Sequence, residues 1–459
     1  MQDRPHLRPL MVWVDDSNAS LLTDLYELTM AASYHGHHMN YQATFDLFIR
    51  QLPDRRNFLV ACGVSDALHY LHTVRFEDSA LEYLRSLRMF SDDFLSHLAS
   101  FRFHGEVWAA PEGEIVFENE PLMRVTAPLI EAQIVETFLL NCVAFQTMVA
   151  SKAARVAIAC GDRRFLDMSP RRDHAADAAL KAARAAYVGG ASGTSNVLAG
   201  HFYGIPVSGT MAHSYVMAFE DEERAFRAFV HDFPNNAVLL IDTFDVLEGA
   251  RRAAGVAADV ASEGVIVKGV RIDSGDLAPL SRSVRAILDS AGLEEVEIIL
   301  SGDLDEYRIK ALLDDGVPVS SFGVGTQLGT SADAPTLGAV YKLVADERGP
   351  KIKLSTGKAT LPGRKQVLRF ERDGIFERDE IVLEGEESRG GRPLLVKVME
   401  RGERTDADNG LEAARERCRT GLQQLPPTLR RLGAPAQRYR VEPSSRLSGL
   451  VEQMSAKTH

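Results

Sequence analysis

Gly204–Phe219 reads GIPVSGTMAHSYVMAF. An apolar run (Ile205, Pro206, Val207) stops at Ser208-Gly209-Thr210, and His213 follows just before a second apolar segment. That pattern predicts a buried strand, a tight turn holding one histidine, and a helix start. A histidine at the C-terminal end of a strand in an α/β barrel stands where a nucleophile or general base belongs. A turn histidine with a purely structural hydrogen bond would look the same in isolation, so the neighbouring strand ends must decide.

Working outward, residues 159–344 alternate strand with helix. Strands are expected at Phe165–Met168, Ile205–Ser208, Val238–Ile241, Val265–Ile272, Val296–Leu300 and Val319–Phe322. Helical segments lie between them (Ala175–Tyr187, Val246–Ala261, Leu277–Ala291, Asp305–Asp314). Short apolar strands alternating with helices specify a parallel sheet, and this spacing favours a barrel. Six strands are too few to close one, so an irregular, incomplete TIM-like α/β barrel is expected, with a doubly wound open sheet as the alternative.

The flanks differ. Residues 1–158 predict an N-terminal α/β domain: a helix over Leu21–Tyr34 capped by Thr23 or Asp24, a strand at Thr44–Arg50, a helix over Phe58–Leu71, and two helices within Glu77–Phe103 broken near Ser91. A small antiparallel sheet follows over Gly105–Ala127, then a long helix over Leu129–Ile158. Residues 345–459 predict strands and helices that pack back on the N-terminal domain. Their first stretch is basic (Lys353, Lys358, Arg364, Lys365, preceded by Lys342), suiting either an anion contact or a solvated edge strand. No internal repeat or low-complexity tract occurs.

The 459 residues carry a formal charge of −12, which argues against a nucleic-acid or anionic-membrane partner. Cys62, Cys142, Cys160 and Cys418 have no metal-ligand spacing, which fits a reduced, cytoplasmic protein without structural zinc. The first twenty residues contain Asp3, Arg4, Arg8, Asp15 and Asp16 and no signal-peptide core. Leu129–Ile158 is interrupted by Glu131, Glu136, Lys152 and Arg155, so a buried helix is expected there and not a membrane span.

In a parallel barrel the strand ends share one face. Arg171 follows the first strand, Thr210 and His213 the second, and Asp242 the third. Arg271, Asp273 and Asp276 close the fourth, Gly302 and Asp303 the fifth, and Gly323, Gly325 and Thr326 the last. Glycine turns let backbone N–H groups approach phosphate, and late barrel loops commonly do so. Arg171 and Arg271 are suited to forking onto phosphate or carboxylate. Asp273 and Asp276 suit sugar hydroxyls or hydrated Mg²⁺. Asp242 is placed either to orient His213 or to cap the helix that follows. The assembled site suits a phosphorylated ribose donor.

Seven strings, LLTDLYELTM (Leu21–Met30), GTSNVLAG (Gly193–Gly200), IPVSGTMAHS (Ile205–Ser214), LLIDTFD (Leu239–Asp245), VRIDSGD (Val270–Asp276), SGDLDEY (Ser301–Tyr307) and FGVGT (Phe322–Thr326), occur in one order. In that order the chain resembles nicotinate phosphoribosyltransferase, and STGKATLPGRKQV adds to the likeness. The resemblance implies a type II phosphoribosyltransferase fold and a homodimer with active sites at the subunit interface. It also implies conversion of nicotinate and phosphoribosyl pyrophosphate to nicotinate mononucleotide and pyrophosphate, coupled to ATP hydrolysis, with Mg²⁺. By it His213 is transiently phosphorylated, Asp242 holds its tautomer, Asp273 grips ribose, and Gly302, Asp303, Gly325 and Thr326 form phosphate turns. Arg171 and Arg271 become anion contacts. Tyr26 becomes an aromatic stacked on the pyridine ring from the neighbouring subunit, and Met168 stands where several relatives cover the opposite ring face with an aromatic.

The resemblance also bears on the base. A relative that uses nicotinamide carries an aspartate where this chain has Ser195, and a neutral Ser195-Asn196 removes that repulsion toward a carboxylate and can donate to it. Nicotinate is therefore the expected base. The rival activities are nicotinamide or quinolinate phosphoribosyltransfer, and the rival of another class is a catalytically silent phosphosugar-binding barrel.

Overall fold

A computed structural model describes residues 13–355, 360–407, 410–435 and 437–456. They form two compact units: one contains residues up to 147 with 336–429 and 434 onward, the other residues 148–335 with 430–433.

The first unit is built on a seven-stranded sheet. Its order is Gly349–Pro350, Ala339–Asp346, Gln42–Ile49, Pro121–Pro128, Glu106–Ala109, Val396–Glu400, Glu403–Arg404. The small sheet expected over Gly105–Ala127 is thus only part of a larger one. The inner strand Gln42–Ile49 pairs antiparallel on both sides, with Leu47 opposite Met123 and Tyr341. Phe45 stacks on Tyr341 with centroids 4.8 Å apart. Four further strands (Arg392–Pro393, Lys365–Arg372, Ile375–Leu383, Val441–Pro443) make a second sheet. Lys365, expected on an exposed basic stretch, is buried and ion-paired with buried Asp46 at 2.8 Å. Lys358 lies outside the described residues.

Local chemistry explains the other shifts. The helix expected from Phe58 starts at Val64, because Leu59–Val60 pairs with Ile115–Val116 and Gly63 takes φ +91°. A Cβ on Gly63 would lie 2.5 Å from the Cys142 carbonyl, so only glycine lets the chain turn there. Ser91 caps Asp92–Ala99 by accepting the Phe94 N–H, which places the expected break. The long helix is two, Leu129–Ile134 and Glu136–Cys160. Glu136–Cys160 has the length and composition to cross a bilayer, yet 78% of its most apolar window is buried in the fold. The division between the units falls within it.

The second unit carries a parallel sheet in the order Arg164–Asp167, Ser321–Val324, Glu297–Leu300, Gly269–Ile272, Val238–Leu240. Single-residue parallel bridges extend it from Asp167 to Thr194 and from Thr194 to Val207. The helices Ala176–Val188, Val246–Ala261, Leu277–Ser290 and Glu306–Asp314 alternate with these strands. The result is an α/β sheet that approaches a barrel without closing, as six expected strands implied. Ile205–Ser208 is no buried strand: Val207 makes one bridge and is 51% exposed, because Pro206 lacks the N–H that a ladder needs. A buried charge cluster underlies the helix Glu306–Asp314, where Glu306 takes both Lys152 and the Arg155 Nε, the latter at 2.9 Å.

Candidate active site

The five strands run parallel, so their C-terminal tips share one end of the sheet. His213 opens the short helix His213–Met217 with its side chain half-buried. Its Nδ1 lies 3.2 Å from Thr243 Oγ1, and its Nε2 lies 3.9 Å from Asp273 Oδ2. These contacts, with the 2.6 Å bond from Arg271 Nη1 to Thr210 Oγ1, join the tips at opposite ends of the extended sheet.

Asp242 does not orient His213, contrary to expectation. Its Oδ2 accepts the Asp273 N–H at 2.9 Å and the Ser274 hydroxyl at 2.6 Å. The cause is register: Leu240 pairs with Arg271, so two residues on Asp242 meets Asp273 on the adjacent strand end. Nor does it cap the next helix. Asp245 does, accepting the Glu248 N–H at 2.8 Å. Asp242 is buried, and its Oδ1 has no hydrogen-bond partner.

Asp273 is held from a second side by Ser301, whose hydroxyl donates to Oδ1 at 2.5 Å. Oδ2 thereby stays turned toward His213. Gly302 (φ +91°) lets this turn pass beneath: a Cβ there would fall 2.0 Å from the Asp273 carbonyl. Gly323 is likewise covered, with Met168 Sδ 2.5 Å and Ser301 Cβ 3.3 Å from where its Cβ would be. Gly325 approaches the Met168 carbonyl. Met168, Gly323, Ser301, Asp273, His213 and Thr243 are thus contiguous.

Arg271 has a buried Nε without a partner. Burial is the largest influence on its guanidinium and lowers its pKa; the carboxylates of Asp273 and Asp242 oppose this, and nearby Arg171 adds repulsion. A buried guanidinium with an open N–H and a second arginine nearby describe a place for an anion. Asp276, Asp303 and Thr326 are exposed at the same strand ends, Asp303 with φ +48°. Asp276 makes no side-chain cap to Leu277–Ser290, which leaves its carboxylate open to a ligand.

Ser195 is pinned through its N–H to the Asp167 carbonyl at 2.8 Å. Asn196, expected to donate to a bound acid, is held in place by structure: its amide oxygen caps Val197–Tyr203 by accepting the Ala199 N–H, and one of its two amide N–H groups donates to the Ala179 carbonyl. Tyr26 lies in the first unit, exposed, its hydroxyl bonded to Glu136; Glu136 also accepts from Gln133 Nε2 at 2.9 Å.

The sequence reading missed Thr243, Ser274 and Ser301, each a hydroxyl inside a string singled out for its acids or glycines. It also missed a pair of acids under the first strand end, Asp167 buried and Asp173 half-buried. Asp167 accepts Ser169 N–H (3.0 Å), Ser169 Oγ (2.6 Å) and Thr194 Oγ1 (2.7 Å). Ser169 Oγ also lies 3.0 Å from Asp173 Oδ2. One hydroxyl has one proton, so forming both bonds at once needs a proton on one of the two carboxyls, both of which burial pushes up. Burial, and next the charge of Asp167, push Asp173 up to about 6. No pattern marks such a pair, because a buried acid and a solvated one are spelled alike.

Comparison with known proteins agrees with this geometry. Family models match for the nicotinate phosphoribosyltransferase N-terminal domain (residues 21–144), the nicotinate phosphoribosyltransferase family (163–351) and the C-terminal domain (387–451). The chain is 47% identical over 431 residues to the nicotinate phosphoribosyltransferase pncB2 of Mycobacterium tuberculosis, covering 94% of this chain and 92% of that one. It is 44% identical over 363 residues to that of Bacillus subtilis, covering 77% and 74%. The crystal structure of human nicotinic acid phosphoribosyltransferase superposes with a TM-score of 0.83 at 30% identity, over 94% of this chain and 99% of that one. With matching models across three segments and relatives aligned over nearly its whole length, the chain belongs to the nicotinate phosphoribosyltransferase family.

Proposed function

We propose that this chain joins nicotinate to phosphoribosyl pyrophosphate, forming nicotinate mononucleotide and pyrophosphate in NAD salvage, and couples that reaction to ATP hydrolysis through a phosphohistidine at His213. The observation that carries the reading is His213 Nε2 3.9 Å from Asp273, beside Arg271 with its open N–H. A neutral imidazole nitrogen is a competent nucleophile toward phosphorus. The Nε2 lone pair forms the N–P bond to the γ-phosphoryl group, the P–O bond to the β-phosphate breaks, and its electron pair leaves on ADP. Water later takes the phosphoryl group as phosphate.

Asp273 Oδ2 is oriented to hold ribose hydroxyls, and Arg171, Arg271 and the turns at Gly302, Asp303, Gly325 and Thr326 suit phosphate and pyrophosphate. Asp273 and Asp276 offer carboxylate oxygens of the kind Mg²⁺ takes together with substrate phosphates, and the ion would neutralise developing charge on pyrophosphate. Val197, Leu198, Phe202 and Val207 are each at least 50% exposed, an apolar surface that supports pairing with a second copy. In that homodimer Tyr26 of one copy would stack on the pyridine ring held by the other. Buried free thiols at all four cysteines suit the reducing cytoplasm.

Base choice turns on Ser195. Two like charges ~4 Å apart cost about 4 kcal/mol at an effective dielectric near 20, roughly a thousandfold. Ser195→Asp should therefore lose nicotinate use selectively, and a wild type using nicotinamide equally well would overturn the assignment. For the mechanism, incubation with γ-labelled ATP should give an acid-labile phosphoprotein in the wild type and none in His213→Asn, and ATP should raise nicotinate mononucleotide yield. An unlabelled wild type at saturating Mg²⁺ would end the phosphohistidine reading. Absence of product as well would favour a silent phosphosugar-binding barrel.

A further inference from the structure

We propose that Thr243 is the positioning residue that keeps the ring proton of His213 on Nδ1, leaving the Nε2 lone pair free at the face where Asp273 stands. This rests on the phosphohistidine reading above for its catalytic meaning. The contact between Nδ1 and Thr243 Oγ1, 3.2 Å, is the one hydrogen bond of this ring among the described residues. The acid that sequence alone would pair with it, Asp242, is committed to Asp273 N–H and Ser274 Oγ.

The need for such a residue follows from the other side of the ring. Asp273 Oδ2 sits 3.9 Å from Nε2, too far for a hydrogen bond but near enough for a carboxylate to favour an N–H pointing at it. A ring that gave its proton to that side would have no lone pair at Nε2 to attack phosphorus, the free pair then lying at Nδ1 against Thr243. Thr243 offers a competing acceptor at Nδ1. Accepting from Nδ1, the hydroxyl keeps its own proton for another acceptor, and being neutral it adds no second negative charge to the ring. When Nε2 bonds to the γ-phosphorus and ADP departs, the ring keeps its Nδ1 proton and becomes cationic. Asp273 then faces the new positive charge, and Thr243 still accepts from Nδ1.

The test is the tautomer itself, in the full chain with ¹⁵N-labelled histidine, His213 being assigned by difference from His213→Asn. Ring-nitrogen shifts should report Nδ1–H in the wild type and in Thr243→Ser, and Nε2–H in Thr243→Val. Labelling by γ-labelled ATP should fall about 10- to 100-fold in Thr243→Val and return in Thr243→Ser, as when an orienting partner of a functional histidine is removed. Thermal midpoints of both variants check that the chain has folded. A wild type carrying the proton on Nε2 overturns the proposal, as does a folded Thr243→Val that keeps Nδ1–H and labels at the wild-type rate. A wild type with Nδ1–H that takes no label supports the role given to Thr243 and defeats only the phosphohistidine.

Discussion

Asp242 accepts the backbone N–H of Asp273 across adjacent strand ends at 2.9 Å, and so one acid sets the position of another. The same oxygen accepts from Ser274, and Ser301 holds the far carboxylate oxygen of Asp273. Asp242→Ala is expected to lower kcat/KM by about 10²–10³-fold, the range for losing a preorganised polar contact. Ser274→Ala removes one neutral-donor bond of about 1 kcal/mol and should cost roughly fivefold. Steady-state rates for both variants check the order. Equal losses would mean that the hydroxyl, and not the backbone anchor, holds the loop.

Gly302 should tolerate no side chain. Its φ of +91° strains any L-residue, and a Cβ would meet the Asp273 carbonyl at 2.0 Å. Gly302→Ala is expected to cut activity by at least ~100-fold through displacement of Asp273. Gly316→Ala is the control: its φ is +66° with nothing within 4 Å of the added Cβ, so it should cost about 1 kcal/mol of stability and little rate. Parallel melting curves and rates separate the two effects.

Glu306 takes Lys152 and Arg155 while itself fully buried, and Lys152 also pairs with Asp333 at 2.8 Å. Removing one member leaves charge buried without compensation. Glu306→Gln is expected to cost about 3–5 kcal/mol in urea unfolding. Its helix follows directly on the Ser301–Asp305 turn, so that turn should loosen with it.

Asp173 predicts a pH dependence with a definite sign. Burial raises its carboxyl in the folded chain to about 6 from an ordinary value of 3.8, so the folded state binds the proton more tightly than the unfolded one. Its contribution to stability is complete below about 3.8 and is lost as pH rises through about 6. Asp173→Asn should flatten that slope in thermal melts between pH 4 and 7. An unchanged slope would assign the effect to another acid.

Much of the site was legible in order. Arg271, Asp273 and Gly302 stand at or just past strand ends because apolar runs stop where the chain must leave the sheet, whereas His213 opens a short helix and Gly323, expected in a turn, lies inside the strand Ser321–Val324. The partners of those residues were not legible. Asp242 looked like the acid for His213 because both sit near strand tips, whereas register sends it to Asp273. Asn196 looked like a substrate contact, whereas the orphan N–H of Ala199 claims it.

By itself the chain's order of residues determined the strands of the parallel sheet other than Ile205–Ser208, roughly where each ends, and which charged and glycine residues gather near those ends. Backbone sterics and burial of apolar runs act locally, so a one-dimensional pattern carries them. Tertiary structure alone decided which acid touches which base, that Lys365 is buried against Asp46, and that the residues after 336 complete the N-terminal sheet. Those outcomes depend on register and desolvation between segments far apart in the chain, where a displacement of one residue changes every partner.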